Sequence, residues 1–86
     1  MDNKNLSLEG LIFEAIELSV VNNIMYITLN RPEKKNAINP VMANEIIYSL
    51  AFAAQERDIR VVVIKANGDV FCAGGDLGTM SGKSSE

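Results

Sequence analysis

The stretch from Arg60 to Ala66, RVVVIKA, constrains this chain more than any other. A strand with one wet face alternates apolar and polar side chains, whereas Val61 to Ile64 is unbroken apolar sequence, the pattern of a strand covered on both faces. Such strands belong to parallel sheets. A parallel neighbour is reached only through a crossover of a dozen residues or more, so a second strand and a helix must lie upstream. Both are legible. Ile24 to Asn30 alternates, with Met25, Ile27 and Leu29 facing one way and Tyr26 and Thr28 the other. Asn39-Pro40 then starts a helix, because an Asn side chain caps free amides and Pro suits the first turn. Strand, helix and strand make a right-handed crossover unit.

At about 100° per residue, Ala43, Ile46, Ile47, Leu50 and Ala54 share one helix face, which predicts a core-facing stripe running to about Arg57. Val41, Tyr48 and Phe52 fall on the opposite face. They are either scattered surface hydrophobics or a second contact surface. Upstream, Phe13 to Val21 reads as a strand with Ile16, Leu18 and Val20 on one side, and Asn22-Asn23 as the tight turn of a hairpin, since asparagine tolerates positive φ. The stretch NRPEKKNAINP has no apolar period and holds Arg31 extended before Pro32, so it is a loop.

Composition narrows the function classes. The chain has 86 residues, enough for one small domain of marginal stability. A net charge of -3 argues against general nucleic-acid binding, which needs a basic field. Histidine is absent, which removes Ser-His and Cys-His catalysis and the usual zinc sets from these residues. The single cysteine, Cys72, the lack of a signal-peptide pattern and the lack of a long apolar run predict a soluble cytoplasmic protein without membrane contact. Cys72, between Phe71 and Ala73, reads as a small buried residue rather than a nucleophile.

The closing stretch, GDVFCAGGDLGTMSGKSSE, carries the chemistry. Its SGKSS ending falls short of a phosphate-binding P-loop, because Leu77 stands where that motif needs glycine. The Ala-Gly-Gly-Asp turn after a buried strand offers something else, backbone amides unobstructed by side chains. Amides so placed stabilise negative charge developing on a carbonyl oxygen. By spacing alone, a plain turn is the more ordinary reading, since many Gly-Gly turns are merely turns.

Taken together, ITLNRPEKKNAIN, a helix, and DIRVVVIKANGDVFCAGGDL resemble, in order and spacing, the N-terminal part of the crotonase superfamily, the enoyl-CoA hydratase/isomerase enzymes. The resemblance runs from about Phe13 to Leu77. It implies an α/β fold: an N-terminal fragment of the ClpP/crotonase-like spiral, a β-hairpin followed by a βαβ crossover. It further implies a polar tail over 1–11, a partial domain over 12–77 and a flexible, truncated Gly/Ser-rich tail over 78–86. The implied ligand is an acyl-CoA thioester, with coenzyme A as part of the substrate and no prosthetic group or metal. Gly75 matches the first backbone oxyanion donor. Lys35, Ala37, Ala73, Gly75, Asp76 and Leu77 match the segments that embrace the coenzyme. Ala37, Ala73 and Gly75 supply carbonyls to the adenine amino group, and Lys34 and Lys35 either face the phosphates or form a solvated surface pair. Asp76 is a helix cap or an acid-base group, and Asn30 and Arg31 shape the loop. The family's second oxyanion glycine, acid-base residues and helical trimerisation region have no counterpart here, and Glu45 and Glu56 do not match the catalytic positions. The chain alone is then expected to be inactive, either part of a homo-oligomeric enzyme, a trimer or hexamer, or a non-catalytic fragment complementing a second chain.

Overall fold

The computed structural model of the chain describes residues Lys4–Asn5 and 13–76. Its strands are β1 (Lys4–Asn5), β2 (Ile16–Val21), β3 (Ile24–Leu29) and β4 (Val61–Ala66), and its helix is α1 (Pro40–Gln55). They form one sheet in the order β1-β2-β3-β4. β2 and β3 are antiparallel, from Ile16 opposite Leu29 to Val21 opposite Ile24. β3 and β4 are parallel, from Ile24 beside Val61 to Leu29 beside Ala66. The hairpin and the crossover expected from the sequence are therefore both present. Asn22 and Asn23 take φ of 52° and 70°, the left-handed pair that a two-residue turn between twisted strands requires. β1 adds to the outer edge of β2, with Lys4 opposite Val20 and Asn5 opposite Ser19, a pairing that the polar N-terminal sequence does not announce.

The core lies between the sheet and α1. Ile16, Leu18, Met25, Ile27 and Leu29 are buried there, the faces that strand alternation predicts, with Met42 and Ala53 from the helix. Asn39 is the N-cap, its Oδ1 accepting from the Met42 amide at 2.9 Å.

The helix face is a correction. Of the stripe expected to point inward, Ile47 is 63% exposed and Leu50 41%, and Ala54 is exposed too. The residues packed inward are Met42, Ser49 and Ala53, with Ile46 and Phe52 partly buried against the core. The helix is rotated by about one residue, or about 100°, from the face that hydrophobicity alone selects. Small side chains explain the choice, because Ser49 and Ala53 let the helix approach the sheet. The polar groups this brings in are satisfied. The Ser49 hydroxyl donates to the Glu45 carbonyl at 2.8 Å. The Glu45 carboxylate accepts from the amides of Glu14, Ala15 and Ile16 at 2.7, 2.8 and 3.2 Å.

β4 is also less covered than its sequence implies. Val61 is 50% exposed and Ile64 43%. α1 packs mainly on β2 and β3, and because Ile64 is in register with the core residue Ile27 while Val61 points to the other face, neither face of β4 is fully covered.

Candidate active site

Two loops meet beyond the C-terminal ends of the parallel strands β3 and β4. The first, residues 30–39, leaves β3 and enters α1; the second, residues 67–76, follows β4. Ligands of open α/β sheets collect in this region, where neighbouring strands send their chains apart.

The first loop begins with a single 3-10 turn over Pro32–Lys34 and reverses through Lys35 and Asn36, at φ of 55° and 56°. Lys35 carries its exposed side chain on this reversal. Asn36 is wholly buried and joins the loops. Its Oδ1 accepts from the Arg31 amide at 2.7 Å, and its Nδ2 donates to the Asn67 and Val70 carbonyls, both at 2.8 Å. Gly68 closes the same junction at φ +90°, where an added Cβ would sit 2.8 Å from the Pro32 Cβ. On the open side, Asn67 Nδ2 donates to Asn30 Oδ1 at 2.9 Å.

Further along, the loops pair as a short parallel ladder. The Ala73 amide donates to the Lys35 carbonyl at 3.0 Å, the Ile38 amide to the Gly74 carbonyl at 2.8 Å, and the Asp76 amide to the Ile38 carbonyl at 2.8 Å. The central partners are Ile38 and Gly75. In a parallel bridge, one residue makes both hydrogen bonds to the neighbours of its partner. Ile38 does so here, and the N–H and C=O of Gly75 are turned to the other side. Gly75 is exposed, and its amide has no hydrogen-bond partner among the described residues. Gly74, at φ +99° with open space where a Cβ would lie, makes the bend that presents it. Cys72 packs partly against the core, and its Sγ accepts from the Gly74 amide at 3.4 Å; it is half-buried rather than enclosed.

Arg31 completes the site. One guanidinium nitrogen, Nη1, donates to the Ala37 carbonyl, and Nη2 to Asp76 Oδ2 at 3.2 Å. Lys35, Ala37, Ala73, Gly75 and Asp76 thus gather on one ladder, while Leu77 and the helix start expected to be capped by Asp76 lie outside the described residues. Among the described residues, no group of three or more His, Cys, Asp or Glu is placed to hold a metal ion.

The enoyl-CoA hydratase/isomerase family profile matches residues 19–86. The chain belongs to this family. Trans-2-decenoyl-[acyl-carrier-protein] isomerase of Streptococcus mutans is 38% identical over 65 residues, which cover 76% of this chain and 25% of that protein. Human enoyl-CoA delta isomerase 2 is 40% identical over 65 residues, covering 76% of this chain and 16% of that one. An enoyl-CoA hydratase from Mycobacterium marinum superposes with a TM-score of 0.78 at 30% identity, covering 85% of this chain and 35% of its own. A probable enoyl-CoA hydratase from Mycobacterium thermoresistibile gives 0.71 at 44% identity, covering 73% and 27%. The fold is that of the enoyl-CoA hydratase/isomerase enzymes, the crotonase fold, and the chain spans 16–27% of the curated relatives' length.

Two structural residues of this family member, Asn36 and Glu45, are not legible in the sequence, and a third, Arg31, is legible only in part. Asn36 looks like one of several polar loop residues, and only its position between two charged or polar neighbours and a helix start hints at a left-handed reversal. Glu45 looks like a solvated helix residue. Arg31 is legible as a loop-shaping residue, but not the partners it chooses.

Proposed function

We propose that these residues bind an acyl-CoA thioester and supply one of the two amides that stabilise an enolate-like intermediate. The observation that carries this is the Gly75 amide, turned outward by the Ile38–Gly75 bridge. When water adds to a 2-enoyl thioester, or a proton leaves the carbon beside its carbonyl, negative charge collects on the carbonyl oxygen. A fixed N–H aimed at that oxygen lowers the barrier without reorganising, and one such donor is worth about 10²–10³ in rate. The carbonyls of Ala37, Ala73 and Gly75 would receive the adenine amino group. Ala37 already accepts from Arg31, which leaves its second lone pair for this. Lys35, with Lys34 beside it, would meet the phosphates.

The acid-base groups of the reaction would come from outside these residues. Asp76 is paired with Arg31, and Glu45 is spent on three backbone amides. A hydratase or isomerase acting in the cytoplasm, as a homo-oligomer, is the whole-protein activity this reading favours. A second reading, a non-catalytic chain completing a fold with another, is favoured by the exposure of Ile47, Leu50, Val61 and Ile64.

Amide spectra of the ¹⁵N-labelled chain test the assignment. Crotonyl-CoA should move the resonances of Lys35, Ala37, Ala73 and Gly75, and free coenzyme A should move the same four with a smaller shift at Gly75, whose amide then lacks the thioester oxygen. Responses confined to another face, or none, would remove the site.

A further inference from the structure

We propose that Arg31 is a positioning residue for the Gly75 amide, acting through Asp76 on one loop and the Ala37 carbonyl on the other. The assignment rests on the proposed role of Gly75 for its functional half only. Its structural half is carried by four observations. The Arg31 backbone is fixed, since its amide donates to the buried Asn36 at 2.7 Å and its carbonyl accepts from the Lys34 and Asn36 amides at 2.9 and 2.8 Å. Its guanidinium then reaches across the ladder and binds both sides, Ala37 immediately before Ile38 and Asp76 immediately after Gly75. The pair is largely shielded, with side-chain exposures of 14% and 17%, so solvent screens it less than a surface ion pair. The ladder it spans is otherwise short, with one bridge at Ile38 and Gly75. A planar fork can serve a carbonyl and a carboxylate at once, which a lysine ammonium at the same place does less well.

The consequence is that Arg31 directs no charge toward a substrate. Two of its nitrogens are engaged within the protein, and what they fix is the angle at which the Gly75 amide leaves the bridge. Loss of either partner should loosen the Ile38 and Asp76 amides, which donate across the bridge, while the β2–β3–β4 sheet stays closed.

The test is amide hydrogen exchange on the 86-residue chain and its R31Q, D76A and R31Q/D76A variants. Each single variant should speed exchange at Ile38 and Asp76 by roughly 5- to 30-fold, leaving Ile27 in the central strand unchanged. The double variant should do no more than R31Q, because Arg31 carries both halves of the link and D76A leaves only its bond to Ala37. R31K should fall between wild type and R31Q. Crotonyl-CoA affinity, read from the Gly75 resonance, should weaken in the same order. Unchanged exchange at Ile38 and Asp76, an equal acceleration at Ile27, or additive effects in the double variant would each overturn the assignment. Failure of the wild-type chain to bind crotonyl-CoA would instead withdraw the thioester site and the functional half with it, and the ligand-free exchange comparison would still decide the link between the loops.

Discussion

Two glycines with nearly the same backbone angle play different parts, and substitution should separate them. Gly68 and Gly74 have φ of +90° and +99°, so an alanine at either is strained, by about 1–3 kcal/mol. Only at Gly68 would the new methyl meet Pro32, 2.8 Å away and part of a rigid ring. Urea unfolding should therefore rank Gly68→Ala as the more destabilising variant, and equal losses would mean that the loops part freely. Asn36→Ala should cost more than a usual polar substitution. It leaves the Asn67 and Val70 carbonyls and the Arg31 amide without the partner that now satisfies them, at about 1–3 kcal/mol for each group that water cannot reach. Asn36→Asp should rescue little, since a carboxylate still accepts from Arg31 but presents lone pairs to two carbonyls. The turn at Asn22-Asn23 was legible in sequence because asparagines between apolar runs have few other uses. Asn36 was not, because what distinguishes it is burial, which depends on a partner loop 34 residues away.

At the scale of elements, α1 separates what hydrophobicity suggests from what packing uses. Met42 is fully buried and Ile47 is 63% exposed, although both are large and apolar. Met42→Ala should cost about 2–5 kcal/mol, whereas Ile47→Ala should change stability by less than about 0.5 kcal/mol, both measurable by urea unfolding. The inward faces of β2 and β3 are legible because a period of two leaves only two faces to choose between. A helix offers a continuum, and here the choice was set by the small Ser49 and by Glu45, neither of which scores as a core residue. Glu45→Ala should expose the cost of that arrangement. Three amides at the entry to β2 would lose their acceptor, and exchange at Ala15 and Ile16 should accelerate more than at Val20. The crossover was legible for a simpler reason: RVVVIKA demands a parallel neighbour, and β3 was the alternating strand upstream.

At the scale of the whole molecule, the chain leaves apolar surface uncovered on both α1 and β4. Val41, Ile47, Tyr48, Leu50, Val61, Ile64 and Phe71 are all large, apolar and exposed. Burying one such side chain is worth about 1.5–3 kcal/mol, comparable with a large share of the stability of a small domain. Sedimentation should show self-association of the purified chain, reduced by Ile47→Lys together with Leu50→Ser; a stable monomer at high concentration would argue that this surface is tolerated. The same chain should not hydrate crotonyl-CoA, since Asp76, the carboxylate on the ladder, is engaged by Arg31. The ladder between the loops also bears on how the molecule assembles. Its ties join residues 34 and 45 apart in sequence, Asn36 with Val70 and Arg31 with Asp76, whereas the β2–β3 hairpin turns through two asparagines. Closing long loops costs chain entropy before any contact repays it, so the hairpin can nucleate early while the loop ladder condenses last. Substitutions in the hairpin should then slow folding, and substitutions at Arg31, Asn36 or Asp76 should mainly quicken unfolding. On a growing polypeptide, the ladder would be complete only after Asp76 has emerged.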